Sequence, residues 1–205
     1  MIAPLSPAHE RRGAARYSLL MKTAKLICQS GEYPCICRDV SASGVKIRLF
    51  HALPPEDFFL LELASGMRYP VALVWENERE AGLRFADAID PTEFFGDKSV
   101  CARRSIRLRI SASAVLTIGK RRQNARLVNL SQHGACIETA ALLPERQRLT
   151  LSIEGIPLRE AYVRWRRGFE HGLVLQQGFT LAELAAHALD LQPIPTDRPV
   201  LRHLA

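Results

Sequence analysis

The sequence predicts a mainly β protein: two small antiparallel β units in tandem, closed as barrels or stacked as sandwiches, each followed by a short helix. Three observations lead there. The chain repeats itself at an offset of 90 residues. Within each repeat, apolar side chains alternate with period two over short runs. Between the runs of the first repeat stand Ser30-Gly31, Ser43-Gly44, Pro54-Pro55 and Ser65-Gly66, residues suited to tight turns.

The repeat is carried by particular residues. Asp39-Val40-Ser41-Ala42-Ser43-Gly44 falls on Asn129-Leu130-Ser131-Gln132-His133-Gly134, Leu53-Pro54 on Leu143-Pro144, and Leu61 on Leu151. The chain has two tryptophans, Trp75 and Trp165, and they stand in register, as do Gly82-Leu83 and Gly172-Leu173. Upstream, Arg12 and Arg16 fall on Arg103 and Arg107 at an offset of 91, a one-residue loop difference. This is a duplicated domain, each copy long enough to fold around its own core. The expected division is residues 1–98, residues 99–191, and a flexible tail over 192–205 that holds Pro193, Pro195 and Pro199.

The elements follow in order. In the first unit, strands are expected at Ala24–Cys28, Tyr33–Val40, Val45–Leu49, Phe58–Leu63, Tyr69–Trp75 and Gly82–Phe85. Ala86–Phe95 reads as a helical stretch, with Asp87, Asp90 and Pro91 suited to a turn or a helix start. In the second unit, strands are expected at Ala114–Ile118, Ala125–Leu130, Ala135–Thr139, Leu149–Ile153, Glu160–Trp165 and Gly172–Leu175. Leu181–Leu191 has helical spacing at Leu181, Leu184, Ala185, Ala188 and Leu189, with Thr180 as its N-cap.

Composition narrows the function classes. Of 205 residues, 47% are apolar and 24% charged, values of an ordinary globular chain. No apolar run approaches the roughly 20 residues that cross a bilayer, and the N-terminal arginines follow the apolar residues, the wrong order for a secretory signal. A cytoplasmic location is expected. Five cysteines, an odd and sparse set, argue against a disulfide framework, and Cys35 and Cys37 read as buried strand thiols. Charge is uneven. Residues 1–98 hold 12 Lys/Arg against 13 Asp/Glu, and residues 99–205 hold 16 against 8. A basic half attracts polyanions such as nucleic acid, anionic lipid or a phosphorylated small molecule.

The candidate chemistry lies in R-x-x-x-R followed about 22 residues later by [DN]-x-S-x-x-G, present in both units. The arginines are expected to precede the first strand of each unit, and the second motif to form a turn between two strands. A guanidinium is a planar fork that grips phosphate or the O6/N7 edge of guanine with two hydrogen bonds, and it stacks on purine faces. An Asp or Asn oxygen accepts from guanine N1–H and N2–H. A serine hydroxyl bonds phosphate or base, and glycine permits close backbone approach or a positive φ. The set suits a guanine nucleotide with phosphates.

This constellation resembles the PilZ domain, a bacterial receptor module for cyclic di-GMP. The resemblance covers residues 11–95 and 102–190, and Trp75…Gly82-Leu83 and Trp165…Gly172-Leu173 look like the family's closing strands. It implies two six-stranded antiparallel PilZ-like β-barrels with a helix after each. It also implies ligand contacts from Arg12 and Arg16 with Asp39, Ser41 and Gly44, and from Arg103 and Arg107 with Asn129, Ser131 and Gly134. Arg11 and Arg104 are extra arginines, expected to contact a second, stacked ligand molecule. Asn129 replaces the acid, which the family pattern tolerates, and neither copy is degenerate. The implied function is a receptor acting on domain arrangement or on an unidentified downstream protein, with a homodimer allowed and no DNA expected.

Two other readings stand beside it: a single-stranded nucleic-acid-binding β-barrel protein, and an interaction scaffold with one inactive PilZ unit. Nucleophile elbows, P-loops, dinucleotide fingerprints and spaced metal ligands are absent from the sequence, so no catalysis and no cofactor are expected. Trp75 and Trp165 sit inside alternating runs and are expected in the core. His133 and His171 are expected to be structural, and Lys120-Arg121-Arg122 a solvated hairpin.

Overall fold

The computed structural model describes residues 17–95 and 105–192, with side chains from Met21 to Phe94 and from Ser105 to Gln192. The first unit contains β1 (Tyr17–Cys28), β2 (Gly31–Val40), β3 (Gly44–Leu49), β4 (Phe58–Leu63), β5 (Arg68–Asn77), β6 (Glu80–Phe85) and α1 (Pro91–Phe95). Its strands close a six-membered antiparallel ring in the order β1-β2-β3-β6-β5-β4. The second unit contains β7 (Arg107–Leu108), β8 (Ala112–Ile118), β9 (Arg121–Ser131), β10 (Gly134–Glu138), β11 (Arg148–Ile153), β12 (Ile156–Arg167), β13 (Glu170–Leu175) and α2 (Leu181–Leu191). Here β10-β13-β12-β11-β8-β9 close a second ring through the β9–β10 pairing, and β7 adds itself to the outer end of β9.

Period-two alternation explains both interiors. In β4 the inward positions are Phe59, Leu61 and Leu63, and their counterparts in β11 are Leu149, Leu151 and Ile153, all buried. One core gathers Leu26, Ile47, Leu61 and Leu83, the other Leu116, Leu127, Ile137 and Leu173. Burying a side chain of this size contributes roughly 1.5–3 kcal/mol. Cys35 and Cys37 both face inward, and burial pushes the Cys37 thiol up to about 12. Among the described residues the cysteines are free.

The helices follow from their caps. Thr180 accepts from Glu183 N at 3.2 Å while Glu183 Oε2 accepts from Thr180 N at 2.7 Å, a complete capping box, and Leu184, Ala185 and Ala188 form the buried face of α2. The first helix is shorter than the sequence pattern. Ala86–Asp90 is an irregular, non-helical connection that begins with a bend, with Ala86 N donating to Pro70 O and Ile89 N to Ala42 O. Asp90 Oδ1 accepts from Thr92 N at 2.8 Å, and the helix starts only at Pro91, whose fixed φ suits a first helical position. Phe94 then enters an aromatic cluster with Tyr69 and Phe85.

The arms differ from expectation too. The register between β7 and β9 pairs Arg107 with Ser131 and Leu108 with Leu130, so Arg107 lies in a strand rather than ahead of one. The cause is alternation: Ile106, Leu108 and Ile110 are buried in the second core, which leaves Ser105, Arg107 and Arg109 on the outside. In the first unit the same stretch is the start of β1, where Ser18 faces Asp39 before a bulge leads to Lys22 facing Cys37. Arg11, Arg12, Arg16, Arg103 and Arg104 lie outside the described residues, as does the expected tail beyond Gln192.

Candidate ligand clefts

Each [DN]-x-S-x-x-G motif makes the turn that joins the second and third strands of its ring. Ser41 N donates to Gly44 O at 2.9 Å, and Gly44 N donates to Ser41 Oγ at 3.2 Å. In the second unit Ser131 Oγ donates to Gly134 O at 2.9 Å. The serine hydroxyls therefore fasten the turn. The glycines are needed for close approach and have no positive φ: a Cβ on Gly44 would lie 2.7 Å from Leu83 O, and one on Gly134 2.6 Å from Leu173 O.

Beside each turn lies an open cleft. The first, of about 340 Å³, is lined by Asp39, Ser41, Gly44, Lys46, Trp75 and Arg84 among others. The second, of about 280 Å³, is lined by Arg107, Asn129, Ser131, Gly134, Arg164 and Trp165, with His133 and Cys136 alongside. Every predicted site residue within the described side chains thus reaches a cleft.

The tryptophans are corrected. Trp75 is 44% exposed and Trp165 37% exposed, and each forms a cleft wall instead of core. A one-residue bulge is the reason. Leu73 pairs with Leu83 but Trp75 pairs with Gly82, and Val163 pairs with Leu173 but Trp165 with Gly172. The slip reverses the alternation, so each indole turns outward with its paired glycine. A Cβ on Gly82 or Gly172 would lie 2.0 Å from the indole nitrogen, so the glycine is what lets the ring lie flat on the strand.

Sequence reasoning also missed the cations on the neighbouring strands. Lys46 and Arg84 line the first cleft; Lys46 bonds Glu80 at 2.7 Å and sits 6.0 Å from the Trp75 ring. Arg164 lines the second, where Cys136 takes the place of Lys46 and burial, with Glu170 nearby, pushes its thiol up. For Lys46 the available signal was the outward alternate position on the strand after the motif glycine.

Other expectations resolve simply. His171 is fully buried; its Nε2 accepts from Leu143 N at 3.4 Å and its Nδ1 meets Phe169 O at 3.0 Å, a structural role. His133 is exposed and lines the second cleft. Lys120, Arg121 and Arg122 form the exposed β8–β9 hairpin. Among the described residues no group of His, Cys, Asp and Glu is placed to hold a metal ion, and no helix is long and apolar enough to cross a membrane.

No curated protein sequence matches this chain. Similar solved structures include Borreliella burgdorferi PlzA in complex with c-di-GMP, at 13% identity over 89% of this chain and 94% of that one, TM-score 0.35. The Bacillus subtilis inhibitor of motility MotI/DgrA is 11% identical over 85% and 97% of the two chains, TM-score 0.37. Escherichia coli YcgR in complex with c-di-GMP is 13% identical over 83% of each chain, TM-score 0.29. The PilZ domain profile matches twice, over residues 10–95 and 102–190, which are the two barrels with their arms. The chain belongs to the PilZ domain family and carries two copies of the domain in tandem.

Proposed function

We propose that this chain is a cyclic di-GMP receptor with one site on each barrel, and that it acts as a receptor rather than an enzyme. The observation that carries the reading is the β7–β9 register, which sets Arg107 opposite Ser131 on a cleft that also holds Asn129 and Trp165. A guanidinium fork, an amide oxygen, a fixed turn and an indole face are the groups a guanine dinucleotide requires. Arg107 would take a phosphate or the guanine O6/N7 edge, Asn129 would accept from N1–H and N2–H, and Trp165 would stack on the base. Asp39 and Trp75 would do the same in the first cleft, with Arg12 and Arg16 as its arm.

Output through a downstream protein or a change of domain arrangement completes the proposal. Ile106, Leu108 and Ile110 are packed in the second core, so the segment carrying Arg107 belongs to that barrel. Titration calorimetry tests the reading. Cyclic di-GMP should bind at two sites of unequal affinity with little dependence on salt. No heat, or equal heat with cyclic di-AMP or GMP, overturns it. Tighter binding of single-stranded oligonucleotide with steep salt dependence would favour the nucleic-acid alternative instead.

A further inference from the structure

We propose that Lys25 and Glu32 of the first barrel are positioning residues for the second ligand cleft, holding β7 so that Arg107 faces it. The proposal rests on the reading of that cleft as a cyclic di-GMP site.

β7 has β9 on one side only and ends its sheet. Its other edge presents the carbonyl of Arg107 and the N–H of Arg109, which point the same way because they are two residues apart in an extended chain. Lys25 Nζ donates to Arg107 O at 2.8 Å, and Glu32 Oε2 accepts from Arg109 N at 2.8 Å. Lys25 and Glu32 bond each other at 2.6 Å. One side-chain ion pair thus supplies the donor and the acceptor that a neighbouring strand would supply, and it satisfies an otherwise open edge.

The pair is built in. Lys25 and Glu32 are buried, Lys25 also meets Glu62 Oε1 at 3.1 Å, and Glu62 is bound in turn by Arg68 Nε at 2.7 Å. Gln192, at the end of α2, holds the backbone of Glu32 from the other side: its Oε1 accepts from Glu32 N and its Nε2 donates to Glu32 O, both at 3.2 Å. The barrel does not need this cluster. At the equivalent positions the second barrel has Val115, Arg122 and Ser152, and its ring closes in the same way. A buried ion pair is a weak source of stability but a strong source of geometry. Here the geometry it sets is that of the β7 segment carrying Arg107.

The two tryptophans make the test site-specific. In a Trp75→Phe background, Trp165 emission reports the second cleft; in a Trp165→Phe background, Trp75 reports the first. Lys25→Met combined with Glu32→Leu removes both charges while keeping apolar volume. Glu32→Gln keeps shape and leaves Lys25 paired with Glu62, and it serves should the double variant not fold. Each is expected to weaken cyclic di-GMP binding at Trp165 by about tenfold and to leave binding at Trp75 unchanged. By linkage, the ligand should slow hydrogen exchange at the Arg109 amide of the parent protein, and should do so less in Glu32→Gln. Unchanged affinity at Trp165, equal losses at both clefts, or an Arg109 amide indifferent to ligand overturns the positioning role. Absence of any ligand response at Trp165 in the parent is a different result: it removes the reading of the cleft itself, and the proposal with it.

Discussion

The first and second clefts use the same backbone and different charges. Ser41 and Ser131 tie the same turn, Gly44 and Gly134 make the same close approach, and Trp75 and Trp165 leave their strands at the same bulge. Around this frame the charged positions have moved. The first cleft has Val74 on the fifth strand and Arg84 on the sixth; the second has Arg164 and Val174 at those places. Asp39 is matched by Asn129, and Lys46 by Cys136. The frame is set by steric contacts at short range, which admit one residue type. A cation on a cleft wall acts over several ångströms, so either of two adjacent strands can deliver it. The comparison also predicts unequal sites, since Asp39 offers the guanine N1–H and N2–H a carboxylate with two acceptor oxygens where Asn129 offers one amide oxygen.

The comparison breaks most clearly at the arm. Arg107→Ala should weaken binding at the second cleft by ten- to a hundredfold, corresponding to roughly 1.5–3 kcal/mol for a charge-assisted hydrogen bond, and leave the first cleft intact. Calorimetry with a two-site fit measures this, and Arg16→Ala should give the mirror result. Next comes the shared aromatic wall. Trp75→Ala and Trp165→Ala should each cost their own site about 1–3 kcal/mol of stacking, seen as loss of one binding step. If both sites keep full affinity, the indoles are only a lid on Gly82 and Gly172.

Smaller effects sharpen the contrast. Moving the cation across the second cleft, with Arg164→Val and Val174→Arg together, should hold affinity there within about fivefold, the ~1 kcal/mol scale of exposed charges. A hundredfold loss would show that the position of the cation, as well as its charge, is selected. The smallest effect is on stability. Burial holds the His171 imidazole below its ordinary value of 6.5, so the unfolded chain takes up the proton first. Stability of the second barrel is therefore intact above that value and falls as the pH drops below it. His171→Ala, which installs the residue found at Ala81 in the first barrel, should flatten part of that decline in melts between pH 7.5 and 5. His187 on α2 of the same unit, also held low by burial, acts in the same direction.

Much of this was legible in the residues themselves. Period-two runs marked twelve of the strands, because an inward face of Leu, Ile and Val alternates visibly with an outward polar one. Thr180 marked the start of α2, and the structure adds Glu183 as the other half of its capping box. The turns carrying Ser41 and Ser131 were marked by their motif. The indoles escaped because strict alternation fails at a bulge. Strict alternation points the indoles inward, and the slips after Leu73 and Val163 that turn them out leave no trace in composition. β7 escaped because its ladder with β9 is two residues long, and the Ile106-Arg107-Leu108-Arg109-Ile110 alternation was masked by the arginines that gave the segment its proposed binding role. The joint between barrels was not legible at all. Lys25 and Arg107 are 82 positions apart, and the bond is to a backbone carbonyl, which every residue possesses.

Ring closure has a consequence for how the chain is made. Every strand ladder of the first barrel, including the β1–β4 seam, is encoded upstream of residue 86. During vectorial synthesis that barrel can close before the second exists, leaving no unpaired sheet edge to capture homologous strands as they emerge. Tandem copies of one fold are prone to exchanging strands with each other, and a closed first copy removes the template for that error. Lys25, Glu32 and Tyr33 then wait for their partners in the second unit, since Arg107, Arg109 and Gln192 are synthesised after the first barrel.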